Sequence, residues 1–199
     1  LNPKEPAGDV LDFSLNNMMK NYELNQDHAN HVWKIAGQLY QQLGKELKID
    51  MDRQKVLKTA ALLHDCGINV SYYDHHKHSF YNIINSQING LTQKELVMAA
   101  WVASLHRKDE MRITAPYSKM LGSNEIGTVR KLGMILRIAE SLDRGQNGNI
   151  SEVQGKVEKN TVKLKLRAKT YPGLEIKDAQ NAASAFQKIF KKQLVLEEA

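Results

Sequence analysis

A histidine and an aspartate stand side by side as His64 and Asp65, directly after the apolar helical run VLKTAALL. Burying either side chain alone costs free energy. Together they offer an imidazole nitrogen and a carboxylate oxygen to one divalent cation, which would offset that cost and supply chemistry by activating water or polarising a phosphoryl group. The pair therefore predicts a metal site at the end of this helix.

A further imidazole continues an apolar stripe on the preceding predicted helix. At about 100° per residue, His28 lies within about 40° of Val32, Ile35 and Leu39. His31 lies about 80° from the centre of the same stripe. We therefore expect His28, rather than His31, to face the interior as a ligand.

Two acids follow an apolar helical face in the segment RIAESLDR, where Glu140 and Asp143 share the face of Leu136. Taken singly, each candidate has an ordinary explanation: a helix-terminal charge pair, a satisfied core histidine or an exposed glutamate. Their occurrence on three successive helices instead favours convergence on one ion. Two imidazoles and two carboxylates suit manganese, magnesium, iron or zinc.

Periodicity predicts a mainly α fold whose helices position these residues. The predicted helices cover about 10–22, 27–47, 52–65, 80–84, 92–106 and 123–143. Ser123 or Asn124 is the expected cap of the last one. Beyond Gly145 we expect a hairpin over 153–168 that turns at Lys159-Asn160, a strand at 174–176, a helix over 179–190 and a strand at 194–196. The predicted organisation is a linker at 1–9, a helical domain at 10–148 and a small α+β subdomain at 149–199.

Composition narrows the class of protein. The 199 residues include 42% hydrophobic residues and no apolar stretch of membrane-spanning length. A single cysteine, Cys66, excludes an internal disulfide and suits the cytoplasm; we expect it to fill space in the core rather than act as a nucleophile. The net charge of +6 favours anionic ligands. Nucleic acid is disfavoured, because the lysines between Lys156 and Lys169 alternate with apolar residues, as on the wet face of a sheet.

The order H…HD…acid on successive helices resembles the HD-domain metal-dependent phosphohydrolases. The segments LLHDCGINVSYYDHHKHSFYNIINS, HRK and LRIAESLDR further resemble the C-terminal half of the exopolyphosphatase/guanosine pentaphosphate phosphohydrolase (Ppx/GppA) family, over about residues 9–198. The resemblance implies an HD-type helical bundle with a small α+β subdomain. It also implies that the full-length protein carries N-terminal ATPase-like domains, and that a homodimer can form.

The same resemblance implies the ligands. They are His28, His64, Asp65 and the acid that stands where the family pattern has an aspartate, which is Glu140 here, with Asp143 as the alternative. In two-metal HD proteins, histidines from the following segments complete a second site. His78 and His106 match these by order, among the extra imidazoles His75, His76, His78 and His106. Manganese or magnesium is the first expectation for the divalent cofactor, with iron or zinc as alternatives.

The implied function is hydrolysis or binding of polyphosphate or guanosine polyphosphates. Asp65 and His106 are the candidate catalytic groups, because a carboxylate can orient water and imidazole titrates near neutrality. The candidate phosphate-binding residues are Lys77, His78, Arg107, Lys108 and Arg144. The alternative is a non-catalytic module that binds polyphosphate and dimerises within a larger phosphatase.

Overall fold

The computed structural model describes residues 10–107 and 115–198. Within these ranges it contains eight α-helices and one small sheet, which confirms the mainly α fold with a small C-terminal α+β part. The predicted linker at 1–9 lies outside the described residues. The elements in chain order are α1 (Val10–Asn21), α2 (Gln26–Leu43), α3 (Gln54–Leu63), α4 (His75–Ile84), α5 (Gln93–Ser104), α6 (Ser123–Ser141), β1 (Ile150–Val157), β2 (Thr161–Ala168), α7 (Gly173–Asn181), α8 (Ala183–Phe190) and β3 (Gln193–Glu198).

The helical core is organised around α5, which is buried almost all round from Leu96 to Ser104. It packs against α3, α4 and α6, and α2 in turn packs against α3 and α6. A helix that is apolar on every side is stable in water only when neighbours surround it. A capping box begins α5: Thr92 accepts from the amide of Glu95, whose carboxylate accepts from the amide of Thr92. In the described part of the chain, no helix is long and apolar enough to cross a membrane.

A polar stripe on α2 attaches the sheet to the helices. His31, Lys34, Gln38 and Gln42, spaced three or four residues apart, contact the backbone along one edge of β1. The contacts are His31 Nε2 to Ile150 O (2.7 Å), Lys34 Nζ to Ser151 O (3.0 Å), Gln38 Oε1 to Val153 N (3.1 Å), Gln42 Nε2 to Val153 O (2.9 Å) and Gln42 Oε1 to Gly155 N (2.6 Å). These side chains make hydrogen bonds to backbone groups of β1 that would otherwise lie unpaired at an open edge of the sheet.

The C-terminal part confirms the predicted hairpin and final strand. β1 pairs antiparallel with β2 across the turn at 158–160, and β3 adds to β2 in parallel. The expected strand at 174–176 is wrong, because these residues lie in α7. A run of three residues that alternates apolar and acidic side chains is compatible with the period of a strand and with that of a helix. Here Pro172 precedes the first residue of a helix, α7. The expected helix over 179–190 is divided at Ala182 into the end of α7 and α8.

Several helix boundaries also differ from the predictions. α2 ends at Leu43 rather than near residue 47. α4 begins at His75 rather than at Phe80, because Asp74 adopts a left-handed conformation (φ 56°) that reverses the chain just before the helix. The cap of α6 is Gly122, whose amide donates to the Glu125 carboxylate at 2.7 Å, rather than Ser123 or Asn124. The early start of α4 brings His75 to the end of α3, where the candidate ligands meet.

Candidate metal centre

Six side chains from five helices converge at one end of the helical bundle. His28 is in the first turn of α2, His64 caps the C-terminus of α3 and Asp65 follows it. The other three lie at the start of α4, just beyond α5 and in the last turn of α6; they are His75, His106 and Glu140. All except Asp65 are buried, and the side chain of Asp65 is 17% exposed.

The chain after Asp65 is held by backbone contacts that require a glycine. The Gly67 amide donates to Ser79 Oγ at 2.9 Å, and that hydroxyl donates to the His64 carbonyl. A Cβ at position 67 would overlap the backbone of His75 and Ser79. This close approach of the turn to α4 brings the α4 histidines to the end of α3. The neighbouring Cys66 is buried, and burial raises the pKa of its thiol to about 12, as expected for a packing residue.

Three of the imidazoles are oriented in the same way, by the carbonyl oxygen three residues earlier. His64 Nδ1 lies 2.8 Å from Ala61 O, His75 Nδ1 lies 2.9 Å from Tyr72 O and His106 Nδ1 lies 2.6 Å from Ala103 O. Because a carbonyl only accepts, each Nδ1 carries the proton, and each Nε2 is left with a lone pair. Fixing the tautomer through the outer nitrogen is the usual arrangement of a metal-binding histidine.

The first triad consists of His28, His64 and Asp65. Asp65 Oδ2 lies 3.9 Å from His28 Nε2 and 3.6 Å from His64 Nε2. Glu140 adds a carboxylate oxygen, Oε2, at 3.1 Å and 3.0 Å from the same two nitrogens. These short separations match neighbouring ligands of one ion, since two atoms about 2.1 Å from an octahedral cation lie about 3.0 Å apart.

The second triad consists of Asp65, His75 and His106. It uses the other oxygen of the shared aspartate: Oδ1 lies 3.2 Å from His75 Nε2 and 3.6 Å from His106 Nε2. The two Nε2 atoms are 3.0 Å apart. Since both rings donate through Nδ1, their lone pairs face one another, and this arrangement calls for a proton or a cation between them.

Unsatisfied buried atoms show that this donor set fits divalent cations. His28 Nε2, His64 Nε2 and Glu140 Oε2 are buried and, although close together, make no hydrogen bond of acceptable angle. Leaving such atoms unpaired in the interior is costly. Mixed imidazole and carboxylate donors suit manganese, iron and zinc, and magnesium less well because it prefers oxygen.

The charges of the cluster favour protonated imidazoles at His28 and His64, at the position where a cation would bind. Burial opposes the charged form of His28, but contacts with Asp143, Glu140 and Asp65 raise its pKa to about 10. For His64 the same competition, led by burial and then Asp65, raises the pKa to about 9. Burial and the neighbouring His64 lower the pKa of His106 to about 3. Burial would raise the pKa of Asp65 and Glu140, but the surrounding imidazoles hold both pKa values well below the usual range.

Asp143 lies behind His28 rather than beside Glu140. Its Oδ2 is 2.7 Å from His28 Nδ1, the nitrogen on the far side of the ring from the first triad. Its Oδ1 accepts from the Gly148 amide at 3.1 Å and lies 3.0 Å from His31 Nδ1. Burial opposes its charge, but these contacts with His28 and His31 lower the pKa of Asp143 to about 2. His31, which we expected to face away from the interior, thus takes part in orienting the site.

The predicted phosphate-binding residues are scattered. Arg107 is half-buried beside His106, with its guanidinium carbon 5.8 Å from the centre of the Tyr72 ring. Lys77 is exposed and pairs with Asp74 at 2.8 Å. His78 is half-buried and belongs to neither triad. Arg144 is exposed, and Lys108 lies outside the described residues.

The order of residues along the chain predicts His78 as a ligand of the second ion, whereas the structure brings His75 to that position. Both belong to α4, three positions apart. The start of the helix decides which one faces Asp65. The left-handed Asp74 immediately before His75 was the missing signal, and the run YYDHHKH does not reveal it.

Comparison with known proteins relates the chain to a family of phosphatases. Residues 10–180 match the family model described as Ppx/GppA phosphatase, domain III. Among curated relatives, proteins named guanosine-5'-triphosphate,3'-diphosphate pyrophosphatase are similar. The one from Pseudoalteromonas atlantica is 26% identical over 133 residues, which cover 66% of this chain and 26% of that protein. The one from Aeromonas hydrophila is 29% identical over 134 residues, with 66% and 26% covered. The chain thus spans about a quarter of the length of these relatives.

Proposed function

Since this chain belongs to the Ppx/GppA phosphatase family, as its domain III, we propose that it is a metal-dependent phosphohydrolase module of the HD type. The two triads hold one divalent cation each and share Asp65. The observation that supports this most directly is that three buried ligand atoms, His28 Nε2, His64 Nε2 and Glu140 Oε2, lie close together without a hydrogen-bond partner. Manganese or iron is the preferred cofactor, because four of the six donors are imidazoles.

The residues of this chain have distinct tasks in that reaction. His28, His64 and Glu140 would hold the first cation, His75 and His106 would hold the second, and Asp65 offers one carboxylate oxygen to each set. Bound divalent cations supply an acidified water and polarise a phosphoryl oxygen. Asp65 is the most exposed member of the cluster, and it is therefore suited to orient water at the mouth of the site. His106 is assigned here as a ligand; its buried Nε2 and low pKa fit a neutral imidazole.

Arg107 is the cation best suited to neutralise the phosphate groups of a substrate. It follows His106 directly, and its guanidinium lies over Tyr72, whose carbonyl anchors His75. Guanidinium groups bind phosphoryl oxygens in a bidentate manner. Lys108, Lys77, His78 and Arg144 remain candidates for contacts with more distant phosphates. The substrate class is a nucleotide with 5' and 3' polyphosphate groups, as in the names of the relatives, or inorganic polyphosphate.

A second candidate function is a binding module within a larger enzyme. The chain spans about a quarter of the length of its relatives. In this second candidate the main hydrolase site lies in the N-terminal ATPase-like domains that the family resemblance implies. The net charge of +6 supports binding of polyphosphate at this C-terminal part. Homodimerisation and a cytoplasmic location belong to the same proposal and rest on the family resemblance and the single cysteine.

Phosphate release by the metal-stripped chain separates the two functions. We expect cleavage of guanosine-5'-triphosphate,3'-diphosphate or polyphosphate to appear when manganese is added and to disappear in His64→Ala. Elemental analysis of manganese-loaded protein should give two ions per chain, and fewer in His64→Ala. His78→Ala removes an imidazole outside both triads and should keep both ions. Tight polyphosphate binding without turnover under any divalent cation, unchanged in His64→Ala, would favour the binding module instead.

A further inference from the structure

The dipeptide Asn-Gly occurs twice in the chain, as Asn89-Gly90 between α4 and α5 and as Asn147-Gly148 between α6 and β1. An asparagine that precedes glycine is prone to lose its side-chain amide, because glycine has no side chain to hinder attack by its own backbone nitrogen. Neither dipeptide belongs to the metal centre. Their surroundings differ, and this difference decides which of the two can react in the folded chain.

The Asn147-Gly148 dipeptide is held at both of its reacting groups. The Gly148 amide donates to Asp143 Oδ1 at 3.1 Å, and the Asn147 side-chain oxygen accepts from the Asn149 amide at 3.0 Å. The glycine nitrogen must give up its proton before it can attack the asparagine side chain. A carboxylate that accepts from this amide keeps the proton in place and repels the negative charge that its loss would create.

The Asn89-Gly90 dipeptide forms an exposed turn. Its hydrogen bond to α1 is made by the Asn89 amide, which donates to Ser14 Oγ at 3.2 Å. Among the described residues, none accepts a hydrogen bond from the Gly90 amide. The fold nevertheless requires glycine here, because Gly90 has φ 93° and a Cβ would lie 2.9 Å from the Leu11 side chain. The small residue that leaves Asn89 open to attack is therefore a requirement of the turn.

We propose that Asn89 is a site of spontaneous deamidation and isoaspartate formation in the folded chain, whereas Asn147 is protected. The deprotonated Gly90 nitrogen attacks Asn89 Cγ, and the new N–Cγ bond closes a five-membered succinimide. The Cγ–Nδ2 bond breaks, and the amide leaves as ammonia with a proton taken from water. A water molecule then opens the ring at either carbonyl, which gives aspartate or isoaspartate. In total, one amide and one water become one carboxylate and one ammonium ion.

The reaction would alter the contact that holds α1 on the helical bundle. Isoaspartate adds one carbon to the main chain between the amide that bonds Ser14 and the glycine that packs on Leu11. Both of these α1 residues are buried. The remaining contacts of α1 are mainly with α3 and include the ion pair between Asp12 and Lys58. We therefore expect isoaspartate at position 89 to weaken the packing of α1 and to lower the stability of the chain.

Peptide mapping by mass spectrometry tests which asparagine reacts. The whole chain is incubated in EDTA at mildly alkaline pH, and conversion at both dipeptides is followed with time. In the folded chain we expect Asn89 to convert about tenfold faster than Asn147 or more, because Asn147 reacts only after its loop opens. In concentrated urea both surroundings are lost, and the two rates should become similar. Equal rates in the folded chain, faster conversion at Asn147, or conversion at Asn89 in urea alone would overturn the proposal.

Variants test the effect on α1. Asn89→Gln keeps the backbone bond to Ser14 but has a longer side chain, which disfavours ring closure. This variant should keep its urea midpoint during incubation, while the midpoint of the unaltered chain falls as isoaspartate accumulates. Asn85→Gln changes another exposed asparagine, which precedes serine instead of glycine, and should age like the unaltered chain. An equal fall in Asn89→Gln would refute the effect on α1, and so would an unchanged midpoint in chain that carries isoaspartate at position 89. The mapping needs no variant, so it decides the site even if Asn89→Gln does not fold.

Discussion

Asp143→Asn tests whether this carboxylate positions His28 or binds an ion itself. In the structure each oxygen of Asp143 has its own donor, His28 Nδ1 at 2.7 Å and the Gly148 amide at 3.1 Å. Asparagine has a single acceptor oxygen, so its NH₂ group must face one of these two donors. Either the Gly148 contact is lost, or the imidazole of His28 changes tautomer and presents a proton where its lone pair should be.

The magnitude follows from the role of an outer-shell partner. Removing the group that orients a metal-binding histidine typically lowers affinity by about 10–100-fold, which is about 1.4–2.7 kcal/mol. We expect Asp143→Asn to weaken manganese binding to this extent at pH 7.5, while the number of ions per chain is unchanged. His28→Ala removes a ligand atom and should cost more, with loss of the ion from the first triad.

Isothermal titration of EDTA-treated, dialysed protein with manganese measures both quantities, and circular dichroism checks that each variant is folded. Glu140→Ala is the decisive companion, because Glu140 Oε2 lies within 3.1 Å of both first-triad imidazoles. If Asp143→Asn abolished an ion while Glu140→Ala kept it, Asp143 would be the ligand and the assignment reversed. An unchanged affinity in Asp143→Asn would refute the positioning role.

Three further predictions concern stability. In EDTA the melting temperature should fall as pH rises from 7 to 10. The reason is that His28 and His64 have pKa values of about 10 and about 9 in the folded chain and keep protons that the unfolded chain releases near pH 6.5. Manganese should suppress this fall, and a melting temperature that does not change with pH in EDTA would contradict the prediction. Gly67→Ala should lower the free energy of unfolding by about 2 kcal/mol or more in urea titrations, since its Cβ overlaps two backbone segments. Gln42→Ala should lower the free energy of unfolding by about 1–2 kcal/mol in the same assay, because the Gln42 side chain makes hydrogen bonds to the backbone of Val153 and Gly155. Gln41→Ala, at the neighbouring exposed position, is the control. Equal losses of stability in the two variants would refute the role of Gln42 at the sheet edge.

Much of the helical core could be predicted from the sequence because its apolar residues recur at helical spacing. The stripe through Val32, Ile35 and Leu39 is buried, and His28 continues it into the interior. The failures occurred where the local pattern fits two structures. Leu174-Glu175-Ile176 alternates apolar and acidic residues as a strand does, but these residues lie in α7, directly after its N-cap residue Pro172. Glu175, which a strand would direct to water, is only 4% exposed.

The choice between Glu140 and Asp143 shows a second reason why the sequence alone did not determine the site. Two acids three residues apart share one face only while the helix continues. Because α6 ends at Ser141, Asp143 leaves the helical path and turns behind His28, whereas Glu140 stays on the inner face. The composition of RIAESLDR does not fix the residue at which the helix ends, so the sequence left both acids as candidates.

The shared aspartate gives the two ion positions different charge. Asp65 contributes one oxygen to each triad, but Glu140 adds a second carboxylate to the first triad alone. The first position therefore has two imidazoles, the carboxylate of Glu140 and one oxygen of Asp65. The second position has two imidazoles and the other oxygen of Asp65. Since carboxylates attract a divalent cation more strongly than neutral imidazoles do at equal distance, we expect the first position to fill first. A cation in the first position would draw charge from Asp65, so we expect the second position to bind its ion more weakly and to exchange it more readily.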